Sequence, residues 1–292
     1  MDLPKPHYLL FQILYNMYGL EGKVAVVTGS GRHKGIGESI VLRLAAEGCS
    51  IVLSDLGQPK GKEFKKEHIG GNHEMEEIAE SCRAMGVPVI CVSCDVRNED
   101  ECTLLMQQAH QKFGHLDILI NNAGVGYLME PFTEFKESSW DAVLDVNLKG
   151  AFLCSKHAAI IMKAQRSGCI INIASQAAKS GFPFAAAYTA SKHGLIGLTR
   201  SNAVELGQYG IRVNAVCPNH ITTGLGDWQN RFFSEKLGVD YESYLSGIIN
   251  KNPLGRTGMT EDIAKAVAFL CSKEAAYITG EALNVSGGEE YH

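Results

Sequence analysis

Seven short apolar runs punctuate this chain, and stretches of helical spacing separate nearly all of them. The runs are Lys23–Thr28, Ser50–Ser54, Val87–Ser93, Asp117–Asn121, Cys169–Ala174, Ile211–Val216 and Ala282–Val285. Helical patterns cover 36–47, 73–85, 98–113, 137–165, 185–206 and 260–271. A strand that is apolar throughout needs cover on both faces, and alternation with helices supplies it. Right-handed crossovers then wind the chain into an open parallel sheet. The expected fold is α/β: one doubly wound domain, its seven-stranded, mostly parallel sheet flanked by helices.

The 292 residues would allow two domains at roughly 150 residues each. No Pro/Gly/Ser linker or composition break divides them, however. The surplus falls in an N-terminal arm (1–20), an insertion (56–72) and a long segment (219–252) expected to act as a lid over 21–292. Loops beyond about 15 residues in a compact domain usually carry function.

Composition excludes several functions. Lys plus Arg is 27 against 32 Asp plus Glu, so nothing points to nucleic acid or an anionic membrane as partner. Nine cysteines, an odd number, fit reduced thiols and a cytoplasmic setting better than a disulfide framework. Cys91 and Cys94 form a CxxC on a strand, where residues three apart face opposite ways, and no second ligand pair follows. No metal site is expected. Residues 8–20 are apolar but too short for a bilayer, which needs about 20 residues. Leu10, Ile13, Leu14 and Met17 recur there at helical spacing, consistent with a short packed helix.

The first strand runs straight into Thr28-Gly29-Ser30-Gly31-Arg32-His33-Lys34-Gly35-Ile36-Gly37, and a helix follows. Glycines there let the backbone turn sharply and lie against a pyrophosphate seated on free N–H groups of the helix. Asp55 ends the second strand, where a carboxylate accepts the ribose hydroxyls of NAD and repels a 2′-phosphate. Arg32 and Lys34 pull toward NADP, but the carboxylate excludes the phosphate directly. The expected cofactor is NAD, bound by a Rossmann-type crevice.

The glycine loop, Asp95-Val96, Asn121-Asn122-Ala123-Gly124, Asn147, Ser175, Tyr188-x-x-x-Lys192, and Pro218 with Thr223 follow one another in order. In that order and spacing the chain resembles the short-chain dehydrogenase/reductases over roughly residues 20 to 288. One departure is in the glycine loop. Five residues separate Gly29 from Gly35 where three are usual, so either a two-residue bulge exists or the register starts at Gly31. A second is Asn219, which stands where glycine is usual.

The resemblance implies roles. Gly29, Gly31, Lys34, Gly35, Ile36 and Gly37 would hold the phosphates, and Asp95 and Val96 the adenine. Asn122, Ala123 and Gly124 would line the adenosine side, and Pro218, Ile221 and Thr223 would hold the carboxamide. Tyr188 and Lys192 sit four apart, on one helical face. A cation beside the phenol favours the phenolate, so the pair would move the alcohol proton. Ser175 would orient the substrate oxygen, and no G-x-S-x-G elbow makes it a nucleophile. Asn147 would support a proton relay.

Gln176 and Phe182 flank the catalytic segment and are expected to touch substrate, as are Ser175 and Tyr188. The lid is similar to that of polyol and diol dehydrogenases, which implies a secondary alcohol of polyol, sugar or small-diol type. A hydroxysteroid or a 3-oxoacyl thioester is the alternative, and a non-catalytic dinucleotide sensor the alternative of another class. The resemblance also implies a homo-oligomer, dimer or tetramer, built through helices 137–165 and 185–206. The acidic end, Glu289-Glu290-Tyr291-His292, reads as a solvated terminus or a cation ligand.

Overall fold

The computed structural model describes residues 18–64, 69–289 and 291. The apolar segment read as a helix falls mostly outside them, as do Glu290 and His292. Seven strands form one sheet: β1 (Val24–Thr28), β2 (Ser50–Asp55), β3 (Val89–Ser93), β4 (Ile118–Asn121), β5 (Gly168–Ile173), β6 (Ile211–Pro218) and β7 (Ala282–Val285). Their order is β3-β2-β1-β4-β5-β6-β7, and every pairing between them is parallel. The expected "mostly parallel" sheet is thus wholly parallel. The third strand starts two residues later than its apolar run suggests, after Pro88, which has no N–H to give a ladder.

Helices cover both faces. α1 (Ile36–Ala46), α2 (Asn72–Arg83) and α9 (Thr260–Cys271) lie on one side. α3 (Glu99–Phe113), α5 (Ala151–Gln165) and α6 (Ala186–Leu206) lie on the other. The β1 side chains alternate accordingly. Ala25 and Val27 pack with Ile40, Leu44, Ile78 and Val267, whereas Val24 and Val26 pack with Leu105, Met106 and Met162. All five β1 residues are buried, which is why no polar face shows in the sequence.

Strand order reverses between β1 and β4, and a crevice opens there at the carboxyl edge of the sheet. A buried polar chain fixes the helices behind it. Asn121 Nδ2 donates to Asn172 Oδ1 and to Ser155 Oγ, both at 2.8 Å, and Asn172 Nδ2 donates to Thr199 Oγ1 at 2.8 Å. These bonds pin α5 and α6 to β4 and β5, so the Tyr188–Lys192 segment of α6 has a fixed height above the sheet.

The expected helix 137–165 is interrupted. α4 (Glu137–Leu144) passes through a π-helical turn, Asp145–Gly150, before α5. Such one-turn bulges often sit at functional sites, and this one carries Asn147. The lid holds two helices, α7 (Gly224–Leu237) and α8 (Tyr241–Lys251).

Candidate active site

The glycine loop settles its own register. Gly29 has φ of +64°, and a Cβ on it would lie 2.6 Å from Ala123 Cα. A Cβ on Gly37 would lie 2.4 Å from the Gly29 carbonyl oxygen. Gly29 and Gly37 are therefore the glycines closed in by backbone, while a Cβ on Gly31 would meet the Asp55 side chain at 2.8 Å. The two extra residues form a bulge: Lys34 has φ of +58°. Glu74 accepts from His33 N at 2.6 Å, and Glu38 accepts from Lys34 N at 2.6 Å. Those two N–H groups are spent on carboxylates. Gly35 caps α1 with no side-chain hydrogen bond, so the first turn of that helix keeps N–H groups for a phosphate.

Asp55 faces this loop. Its carboxylate accepts from Gly31 N at 2.9 Å and Leu56 N at 2.8 Å. Burial raises its pKa above the usual carboxylate range, and the backbone hydrogen bonds from Gly31, Leu56 and Gly70 oppose that. Gly70 lies against Gly31 and Arg32, where a Cβ would come within 2.3 Å of the Gly31 carbonyl oxygen. Gly70, from the insertion, thus packs over the glycine loop beside Asp55.

The sequence reading missed what holds Asp95. Arg97 grips its carboxylate twofold, Nε to Oδ1 at 2.8 Å and a terminal nitrogen to Oδ2 at 2.7 Å. Burial pushes the Asp95 pKa up, but this pair wins and holds it below the usual range. The Arg97 guanidinium lies 4.4 Å from the centre of the Phe64 ring. Phe64 of the insertion therefore lines the cleft beside Asp95 and Arg97. An Asp-x-Arg spacing and one aromatic in 56–72 were the only signals available. Val96 packs under Gly150, where a Cβ would sit 2.6 Å from Val96 Cγ2.

The residues after β4 brace more than they reach. Asn122 Nδ2 donates to the carbonyls of Thr28 (3.0 Å) and Gly29 (2.7 Å), and Ala123 N donates to Thr28 Oγ1 (3.2 Å). Gly124 stands where a Cβ would be 3.4 Å from Asn147 Oδ1 and 3.7 Å from Lys192 Nζ. Those two polar atoms border the same space.

Asn147 is buried and fully used. Its Oδ1 accepts from Val125 N at 2.7 Å, and its Nδ2 donates to Val125 O and to Ser191 Oγ, each at 3.0 Å. It ties the π turn to the loop after β4 and to α6.

Ser175, Tyr188 and Lys192 meet at the cleft floor. Ser175 follows β5, accepts from Ala177 N at 3.1 Å and hydrogen-bonds the Tyr188 phenol. Burial raises the Tyr188 pKa and the Ser175 bond pulls it down. Lys192 Nζ stands 5.6 Å from the Tyr188 ring centre and donates to the Ile173 carbonyl at 2.8 Å. Burial brings Lys192 down to about 8. At Tyr188 burial outweighs the Ser175 hydrogen bond.

On the opposite side, Pro218 ends β6 and Ile221 is buried, bridged to Gly258. Thr223 caps α7, its hydroxyl accepting from Gly226 N at 2.9 Å, and it lines the cleft. Asn219 is absent from the described residues with positive φ, and its side chain bonds the Glu289 carboxylate. Glu289 is accordingly no solvated tail residue: it braces the loop after β6. Gln176 is buried and Phe182 half-buried, and both line the cleft.

A family model described as enoyl-(acyl carrier protein) reductase matches residues 29–290. The chain belongs to the short-chain dehydrogenase/reductase superfamily. Among members of that superfamily, a 3-oxoacyl-[acyl-carrier-protein] reductase of Staphylococcus aureus is 38% identical over 269 residues, spanning 91% of this chain and 97% of the relative. A solved NAD⁺-bound xylitol dehydrogenase is 32% identical with a TM-score of 0.83, covering 92% of this chain and 99% of its own. An actinorhodin polyketide ketoreductase with NADPH also gives 0.83 at 32% identity, covering 92% and 98%. Superfamily membership makes the chain an oxidoreductase with a nicotinamide dinucleotide site. Among the described residues no helix is long and apolar enough to cross a membrane.

Proposed function

We propose that this enzyme interconverts a secondary alcohol and its ketone with NAD(H). The observation that carries this reading is the meeting of Ser175, Tyr188 and Lys192 beside the end of the glycine loop. Ser175 holds the substrate oxygen and fixes its direction. Tyr188 gives that oxygen a proton in reduction and takes it back in oxidation. Lys192 holds the nicotinamide ribose and carries the charge that steadies the phenolate. Asn147 keeps the Val125 backbone and α6 in register, and its Oδ1 borders the space where a water would join Lys192 to solvent. The bound dinucleotide supplies or accepts the hydride.

The residues fit the dinucleotide. Gly29 and Gly37 leave a cradle that a Cβ would fill, and the uncapped start of α1 offers N–H groups to phosphates. Asp55, closed in by Gly31 and Gly70, sets a carboxylate where a 2′-phosphate would have to stand. NAD is therefore preferred. The expected ratio of kcat/KM for NADH over NADPH, followed at 340 nm, exceeds 10. Asp55→Ala should bring it close to 1, because one repulsive carboxylate decides it. A wild-type enzyme that favours NADPH would remove the role given to Asp55.

A second reading, reduction of a 3-oxoacyl thioester, is favoured by the likeness to the Staphylococcus aureus reductase. The same Ser175–Tyr188–Lys192 group would serve it. A non-catalytic sensor is disfavoured, since such a protein has no use for a phenol, hydroxyl and ammonium converging on one cleft. All nine cysteines are free, in keeping with a reducing cytoplasm. Homo-oligomerisation is proposed through the face of α5 and α6, where Phe152 is 46% exposed beside Leu148 and Leu198.

A further inference from the structure

The lid wall beside Tyr188 has spent most of its polar groups on itself. Asp227 accepts from Arg231 Nε at 2.9 Å and from the Tyr241 hydroxyl at 2.7 Å. Asn230 hydrogen-bonds that same phenol. Gln229 Nε2 donates to the Gly126 carbonyl at 2.8 Å, and Thr223 caps its own helix. Asp227, Gln229, Asn230 and Tyr241 line the cleft with these bonds already made. The carbon beside them comes from Leu225, Phe233 and Leu245, with Met129 and Phe182.

Leu225 stands next to the reacting group. A Cβ on Gly126 would lie 3.3 Å from Leu225 Cδ2 and 3.3 Å from Tyr188 Cε2. An aromatic ladder backs the wall. Tyr127 meets Trp228 edge-on at 6.4 Å, Trp228 stacks on Phe232 at 5.4 Å, and Phe232 meets Phe184 edge-on at 5.9 Å. The wall is therefore packed in place and ill suited to swinging its polar atoms inward.

A polyhydroxylated substrate needs donors and acceptors for its hydroxyls, because a hydroxyl buried against carbon loses its water hydrogen bonds. A charged substrate needs a partner charge, and within the lid Asp227, which lines the cleft, is already paired with Arg231; the cation at the start of the lid, Arg32, belongs to the glycine loop. We propose that the substrate is an uncharged, mainly apolar ketone or its alcohol, with its carbonyl at Ser175 and Tyr188 and its carbon body on Leu225, Phe233 and Leu245. This departs from the polyol, sugar or small-diol class implied by the lid resemblance, and it rests on the alcohol–ketone reading above. Gln176 and His220 line the catalytic edge, where a single polar substituent beside the carbonyl would meet them.

The test compares three carbonyl probes with NADH at 340 nm: 4-tert-butylcyclohexanone, xylulose, and the N-acetylcysteamine thioester of acetoacetate. The ring ketone should have a kcat/KM at least 100-fold above xylulose and above the thioester. Leu225→Asn and Phe233→Ser should each raise its KM about tenfold with kcat changed less than threefold, as lost apolar pocket contacts do. Both side chains are half-buried, so the melting temperature checks that each variant folds. A binding readout runs in parallel. With two tryptophans in the chain, Trp140→Phe leaves Trp228 as the reporter, and the ring ketone should change its emission where xylulose does not. Preference for xylulose or the thioester, with both variants indifferent, overturns the substrate class and leaves the alcohol–ketone reading standing. Bound NADH with no turnover of any probe overturns both.

Discussion

Tyr188→Phe abolishes turnover while the protein still folds and binds NADH. The expected fall in kcat is about 10²–10⁴-fold, the usual worth of a positioned acid–base group. The ring stays, so its packing is kept. What is lost is one oxygen and its bond to Ser175, worth about 1 kcal/mol in stability. The measurement is steady-state reduction at 340 nm beside NADH binding by fluorescence. Cofactor affinity should stay within threefold of the wild type, because Lys192 and the glycine loop are untouched. Turnover at wild-type rate would show that the proton comes from elsewhere.

Gly37→Ala carries the second large effect, and it acts through binding. The added carbon would sit 2.4 Å from the Gly29 carbonyl oxygen, 2.7 Å from Asn122 Nδ2 and 2.8 Å from Ser30 Cα. Two of those three contacts are backbone, so neither can rotate away. The loop must shift off β4, at a cost of about 1–3 kcal/mol for overpacking. It would carry the N–H groups of α1 off the pyrophosphate, and NADH affinity should fall about 100-fold or more. Gly247→Ala is the control. It lies in α8 with nothing within 4 Å of its would-be Cβ. It should leave NADH binding unchanged and raise stability by up to about 1 kcal/mol, from helix propensity alone. Equal behaviour of the two variants in NADH titration would dismiss the cradle.

The architecture was legible because fully buried strands leave a run that no surface strand would leave, as in Val24–Val27. The order of Ser175, Tyr188 and Lys192 was legible because a four-residue helical spacing and a strand end are local facts. The glycine loop was not. Its two extra residues take their place from Glu38 and from Glu74 on another helix, and no local pattern announces that partner. Asp95 held by Arg97, Asn219 held by Glu289, and Thr223 capping α7 are likewise settled by contacts absent from any motif. The lid sequence mixes aromatics such as Trp228, Phe232 and Phe233 with polar side chains. Only the pairing of Asp227 with Arg231 and Tyr241 shows that its polar half is spent, which changes the substrate it suits. The burial of Tyr188, which raises its pKa, is likewise not encoded by the Tyr-x-x-x-Lys spacing.

The central claim is direct hydride transfer governed by Tyr188, and one labelling measurement tests it. Wild-type enzyme is given 4-tert-butylcyclohexanone with NADH deuterated at C4 on one face and then on the other, and the alcohol is analysed by mass spectrometry and NMR. The account predicts one deuterium per alcohol, on the carbinol carbon, from one of the two faces only, and no labelled alcohol from Tyr188→Phe within the same time. Alcohol formed without label from either face, or labelled at the wild-type rate by Tyr188→Phe, would contradict it.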